Sequence, residues 1–202
     1  MGECWPSSDT ALKLTLPDWL GAMGLVGRRY ATAEERLGLA IELSRRNVQE
    51  RTGGPFGAAV FEVASGVLVG AGVSRVEPLA CSVAHAEVMA LAFAQRRLER
   101  FDLGGRDSAH HELASSAQPC LMCAGAILWS GVTRLAYAAS KSDVESLLGF
   151  DEGPLPEDWA DTFRARGMAV VEGHASLRLE ACEVLRLYRQ SGGLVYNSRQ
   201  GT

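Results

Sequence analysis

The chain has 202 residues, of which 24 are acidic and 20 basic, with a formal net charge of −4 and 47% apolar residues. That length holds one domain with a substantial core, and the acidic balance argues against a general nucleic-acid binder, whose surface is basic, while leaving room for a local basic patch. Five cysteines (Cys4, Cys81, Cys120, Cys123 and Cys182), odd in number and unevenly spaced, exclude a disulfide framework and point to a reducing compartment.

Residues 1–31 mix Pro, Gly and isolated apolar side chains and read as an N-terminal extension packing on the domain surface. Pro6, Asp9, Lys13, Pro17 and Asp18 interrupt any apolar run, so no secretory signal is read. No stretch approaches the ~20 apolar residues of a spanning helix, so the expected location is the cytoplasm, with no membrane partner. The domain proper spans 32–190. Thr32 with Glu35 forms a capping box, and a helix runs to about Gln49 with Leu37, Ala40, Ile41 and Leu43 on its apolar side, stopped by Gly53-Gly54-Pro55. Phe56–Glu62 and Val67–Val73, joined through Ala64-Ser65-Gly66, form a β-hairpin. A second helix covers about 84–100, and Glu112–Ser116 is a short strand. Pro119 stands where a helix takes its first residue, with Cys120–Ser130 as that helix. Thr133–Ala139 is a strand, Ser142–Leu148 a helix, and 149–154 a loop. Glu157–Arg166 is helical, Met168–Glu172 a strand, and Leu177–Gln190 the last helix. The tail, 191–202, is polar yet carries Leu194, Val195 and Tyr196. A hairpin followed by single strands joined by helices gives an α/β class with a mixed sheet covered on both faces.

Two short segments carry the chemistry: His85-Ala86-Glu87, and Pro119-Cys120-Leu121-Met122-Cys123. H-x-E followed by P-C-x-x-C is the signature of the zinc-dependent base deaminases. Cys120 and Cys123, at i and i+3, put both sulfurs on one helix face. In a first turn the helix dipole favours thiolate there. With His85 as third ligand, one tetrahedral position stays open for water, the arrangement of a catalytic zinc. Glu87 is then the acid–base residue that moves protons between water, ring and leaving amine. Because i and i+2 diverge on a regular helix, His85 is expected at the helix start with extended backbone. Taken alone, Cys-x-x-Cys also fits a redox pair or half of a structural zinc site; order, spacing and the flanking proline together favour the catalytic reading.

These segments, with Gly53-Gly54-Pro55-Phe56-Gly57-Ala58, Trp129-Ser130-Gly131-Val132, Gly149-Phe150-Asp151-Glu152-Gly153-Pro154 and Tyr196-Asn197, resemble the cytidine-deaminase-like superfamily, and within it the bacterial guanine deaminase branch. The resemblance implies a three-layer α/β/α fold with a five-stranded sheet, one zinc ion per chain and a homodimer. It implies that Phe56 stacks on a flat substrate ring, that Trp129 helps wall the pocket and that Ala86 also contacts substrate. It further implies a second proton-shuttling carboxylate, Glu152 first and Asp151 second, and a tail that closes over the site with Tyr196 as a lid residue. One position departs: where this branch usually carries Asn, eleven residues before His85, Ser74 stands. Its hydroxyl cannot present a donor and an acceptor side by side. The expected function is zinc-dependent hydrolytic deamination of guanine or a related aminopurine or triazine. The alternatives are a tRNA adenosine or cytosine/cytidine deaminase of the same fold and a structural-zinc interaction module.

Overall fold

A computed structural model describes residues 12–105 and 109–199; Cys4 lies outside them. In chain order the elements are α1 (Asp18–Ala22), α2 (Ala33–Gln49), β1 (Gly57–Glu62), β2 (Leu68–Val73), α3 (Val76–Leu79), α4 (Ala86–Leu98), β3 (His111–Ala117), α5 (Leu121–Ser130), β4 (Arg134–Ala139), α6 (Lys141–Leu148), α7 (Trp159–Ala165), β5 (Ala169–Glu172) and α8 (Ala175–Gln190). The strands form one mixed sheet in the order β2-β1-β3-β4-β5. β1 pairs antiparallel with β2 and β3, whereas β3–β4 and β4–β5 are parallel.

Period-two alternation sorts the strand side chains onto two faces. Ala59 and Phe61 of β1 join α2, α6 and α8 in one core, which holds Ile41, Leu43, Val144, Val184 and Leu185. Ala58 and Val60 join α4, α5 and α7 in the other, with Ala90, Ala94, Ile127, Trp159 and Phe163. The result is the expected α/β/α sandwich. The capping box predicted at Thr32 and Glu35 is present in full, Glu35 N–H donating to Thr32 Oγ1 (3.1 Å) and Thr32 N–H to Glu35 Oε2 (3.1 Å).

Three features differ from the sequence reading. Residues 12–31 do more than lie on the surface: α1 forms, Leu20 and Leu25 enter the α2–α8 core, and Arg29 bridges to Val67 beside β2. The short helix α3 was also unread, because its Pro78 argues against a helix from sequence alone. Third, Pro119 is not the first residue of α5. Cys120 is the N-cap, with extended backbone (φ −67°, ψ 172°), and Pro119 precedes it. The prolyl ring keeps Gln118 out of helical backbone, and the extended Cys120 leaves the first turn to begin at Leu121.

The topology gathers one edge of the sheet into a site. β2, β3 and β4 all end there, and β1 begins there, so Phe56, Ser74, Gln118 and the 118–120 connection converge outside the strand carboxyl ends. This is the usual place for a ligand on an α/β sheet.

Candidate active site

Helix α4 approaches the sheet closely because β2 carries glycine at the crossing. A Cβ on Gly70 or Gly72 would come under 3.0 Å from the α4 residues Ala86, Ala90 or Ala94. His85 caps α4 with extended backbone (φ −70°, ψ 156°), so its ring and the first-turn Glu87 side chain reach the same point, as the i, i+2 argument requires.

His85, Cys120 and Cys123 form the group of metal-binding type among the described residues, their ligand atoms all within 4.8 Å of one another. His85 Nδ1 lies 3.6 Å from Cys120 Sγ and 3.5 Å from Cys123 Sγ. Tetrahedral zinc, with Zn–S of about 2.3 Å and Zn–N of about 2.0–2.1 Å, separates a ligand sulfur from a ligand nitrogen by about 3.6 Å. The donors therefore fit zinc in both identity and spacing. Cys123 is buried and Cys120 half-buried.

The electrostatics of these donors suit a cation. A hydrogen bond from Cys123, working against burial and helped by His85, draws the Cys120 thiol down to about 4. The same bond, together with burial and the nearby Glu87 carboxylate, pushes Cys123 well up. Burial lowers His85, but its bond to Cys120 and the charge of Glu87 outweigh that and leave it raised. Glu87 is buried (6% exposed) with Oε2 3.4 Å from Cys123 Sγ; burial first, then the Cys120 charge, raises its carboxyl. Burial, Cys120 and Glu87 push Glu152 up to about 8. A bound zinc opposes these last shifts, because its positive charge is the largest in such a site.

A cavity of about 710 Å³ opens over this cluster. Phe56, Ser74, Ala86, Glu87, Asp151, Glu152 and Tyr196 all line it, with Phe150, Tyr188 and Leu194. Phe56 meets Phe150 edge-on (centroids 5.7 Å), and Phe150 stacks on Tyr188 (6.5 Å, 23°). The two acids of the loop are not equivalent. Asp151 is exposed and its Oδ1 accepts from Gly153 N–H (2.9 Å), a turn of its own. Glu152 is the acid whose charge couples to Cys120, Glu87 and His85. Trp129 stands apart from this group. It is 89% exposed on the outer face of α5 and is not among the lining residues, so it does not wall the cavity of its own chain. Sequence reading missed Phe150 and Tyr188 as lining residues. Phe150 lay within a quoted segment, whereas Tyr188 gave no signal beyond the apolar face of α8.

Residues 31–139 match the cytidine and deoxycytidylate deaminase zinc-binding region, and the match spans both ligand segments. The chain belongs to this family. Guanine deaminase from Nitrosomonas europaea is 46% identical, aligned over 90% of this chain and 98% of its own, with a TM-score of 0.84. The same enzyme in complex with 2,6-diaminopurine aligns at 47% identity over 94% of this chain and 98% of that one, with a TM-score of 0.85. Guanine deaminase from Bacillus subtilis is 35% identical over 113 residues, 56% of this chain and 67% of that protein. The tRNA-specific adenosine deaminase of Buchnera aphidicola is 36% identical over 78 residues, 39% of this chain and 48% of that protein.

Proposed function

We propose that this protein is a guanine deaminase, removing the amino group of guanine or a related aminopurine by hydrolysis and releasing ammonia. The observation that carries the reading is the His85–Cys120–Cys123 triangle with a buried Glu87 beside it, at the base of a cavity edged by Phe56 and Phe150. The binding of 2,6-diaminopurine and 8-azaguanine by relatives that align over most of the chain supports the substrate class.

His85, Cys120 and Cys123 would hold a zinc ion, which when bound would supply a polarised water at neutral pH. Glu87 accepts a proton as the water oxygen attacks the amino-bearing ring carbon, and returns it to the adjacent ring nitrogen. As the C–N bond breaks, Glu152 delivers a second proton to the departing amine, and the hydroxyl left by the water gives its proton to the Glu152 carboxylate as the ring C=O forms; Asp151 closes the turn that holds Glu152. Phe56 packs on the ring face. Ala86 is the first residue of α4, where N–H groups lack intrahelical acceptors, and presents its backbone to the polar ring edge. Tyr196 covers the mouth. Nothing in the charge favours a tRNA substrate, since the chain carries −4 overall.

The outward face of α5 shows Leu121, Met122 and Trp129, and we assign it to the contact with a second copy of the chain in a homodimer. Ammonia release from guanine and from 2,6-diaminopurine by zinc-loaded protein tests the activity. Glu87→Gln is expected to lower kcat roughly 10²- to 10⁴-fold with zinc content unchanged. No release from either base, or full activity in Glu87→Gln, would overturn the proposal.

A further inference from the structure

One side chain of the tail fastens the loop that carries Glu152. Asn197 Nδ2 donates to the carbonyl oxygen of Gly149 (2.8 Å), and Asn197 Oδ1 accepts from the backbone N–H of Asp151 (2.7 Å). Both bonds are to backbone, and they hold the residues on either side of Phe150. A carboxamide offers a donor and an acceptor on adjacent atoms; a carboxylate can only accept and a hydroxyl is too short to span both. Gly149 is the C-cap of α6, in the left-handed conformation (φ 79°), so its carbonyl points away from the helix and toward the tail.

The remaining anchors of the loop come from other elements. Leu121 N–H, at the start of α5, donates to the Glu152 carbonyl (3.4 Å), and Lys141 Nζ donates to the Gly153 carbonyl (2.5 Å). The tail is itself placed by Tyr188, whose hydroxyl donates to the Leu194 carbonyl (2.7 Å) and whose ring stacks on Phe150. Upstream of Glu152, therefore, Asn197 joins the Gly149 N–H bond to the Glu145 carbonyl (2.8 Å) in a polar hold on 149–151, and Tyr188 and Phe56 pack on Phe150 between them.

We propose that Asn197 is a positioning residue for Glu152: its amide fixes the 149–151 backbone so that the next side chain meets the Cys120–Glu87 cluster. The role rests on the reading of Glu152 as the second proton carrier. It makes closure of the tail and completion of the acid–base pair one event, since the residue beside Tyr196 at the cavity mouth is the residue that holds the loop.

The test uses the full-length, zinc-loaded protein with Asn197→Ala, Asn197→Asp, Glu152→Gln and the Asn197→Ala/Glu152→Gln double variant. Both single changes at Asn197 are expected to lower kcat on guanine roughly 10- to 100-fold, with KM within about three-fold and unchanged zinc content. Amide exchange at 149–153 is expected to quicken while α8 stays protected. In the Glu152→Gln background, Asn197→Ala is expected to add no further loss, because a residue acting through another has nothing left to position. Losses that multiply in the double variant would overturn the role. If Glu152→Gln abolishes turnover and Asn197→Ala leaves kcat and exchange at wild-type values, the positioning role alone falls. If Glu152→Gln turns over normally, the reading of Glu152 falls and the positioning role with it, whatever the exchange shows.

Discussion

Ser74 directly follows β2, is buried, and lines the cavity with its side chain packed toward Gly54. Its backbone is fixed on both sides: its N–H donates to the Phe56 carbonyl (3.0 Å) and its carbonyl accepts from Asn47 Nδ2 (3.0 Å). A side chain held so rigidly at the floor of a binding cavity selects by what its tip offers. A hydroxyl makes one contact with the polar edge of a base, whereas an amide at the same place makes a matched donor–acceptor pair. Such pairs govern discrimination more than apolar fit does, because a mismatched substrate leaves buried polar groups unpaired. Ser74→Asn is therefore expected to raise kcat/KM for guanine by about ten-fold or more and to alter the preference between guanine and 2,6-diaminopurine. Steady-state ammonia release on the two bases measures this; an unchanged ratio would mean that position 74 does not read the ring edge.

The elements locate the catalytic groups through one close approach, α4 lying on the β2 glycines. Adding a methyl at Gly72 drives it into the α4 backbone at Ala86 and Ala90, and neither strand nor helix has slack, since Ala86 and Ala90 are fully buried. Gly72→Ala is expected to cost about 1–3 kcal/mol as overpacking, read as a lower urea midpoint, and to weaken zinc retention because His85 moves with α4. An unaltered midpoint would show that α4 yields more easily than the packing implies. Most of this architecture was legible in the sequence because local signals agreed with the global fold. The capping box at Thr32, the period-two runs of the hairpin and the apolar face of α8 each name their own element. The three zinc ligands were legible because their spacing is set by chemistry and not by the fold. What escaped has a physical reason too. α1 is five residues long and is stabilised by burying Leu20 against the domain, a tertiary effect that no local pattern announces. The Asn197–Gly149 contact joins residues 48 apart through side chain to backbone, and a backbone partner leaves no mark on sequence. Trp129 lies outside the cavity of its own chain because its helix turns that side outward, away from Cys123 on the inner face.

At the scale of the molecule, one apolar surface without a partner among the described residues is that outer face of α5. Leu121 and Met122 are 44% and 37% exposed, and Trp129, two turns on, is 89% exposed. Gly125 between them has nothing within 4 Å of its Cβ position, so the helix backbone itself is open to close approach there. An isolated exposed apolar residue is ordinary, but an aromatic aligned with two aliphatic side chains across a bare glycine forms a contiguous apolar patch, which marks an interaction site. Leu121 and Met122 also line the cavity, so a partner seated on α5 would abut the mouth of the site and limit its exposure to water. The homodimer proposed above would bury the exposed Trp129 in this contact. Trp129→Glu places a charge at the centre of the contact and is expected to convert a dimer to a monomer in sedimentation velocity, with loss of activity exceeding any loss of thermal stability. A wild-type protein that sediments as a monomer across micromolar concentrations would overturn the assignment and leave the α5 patch to a different partner.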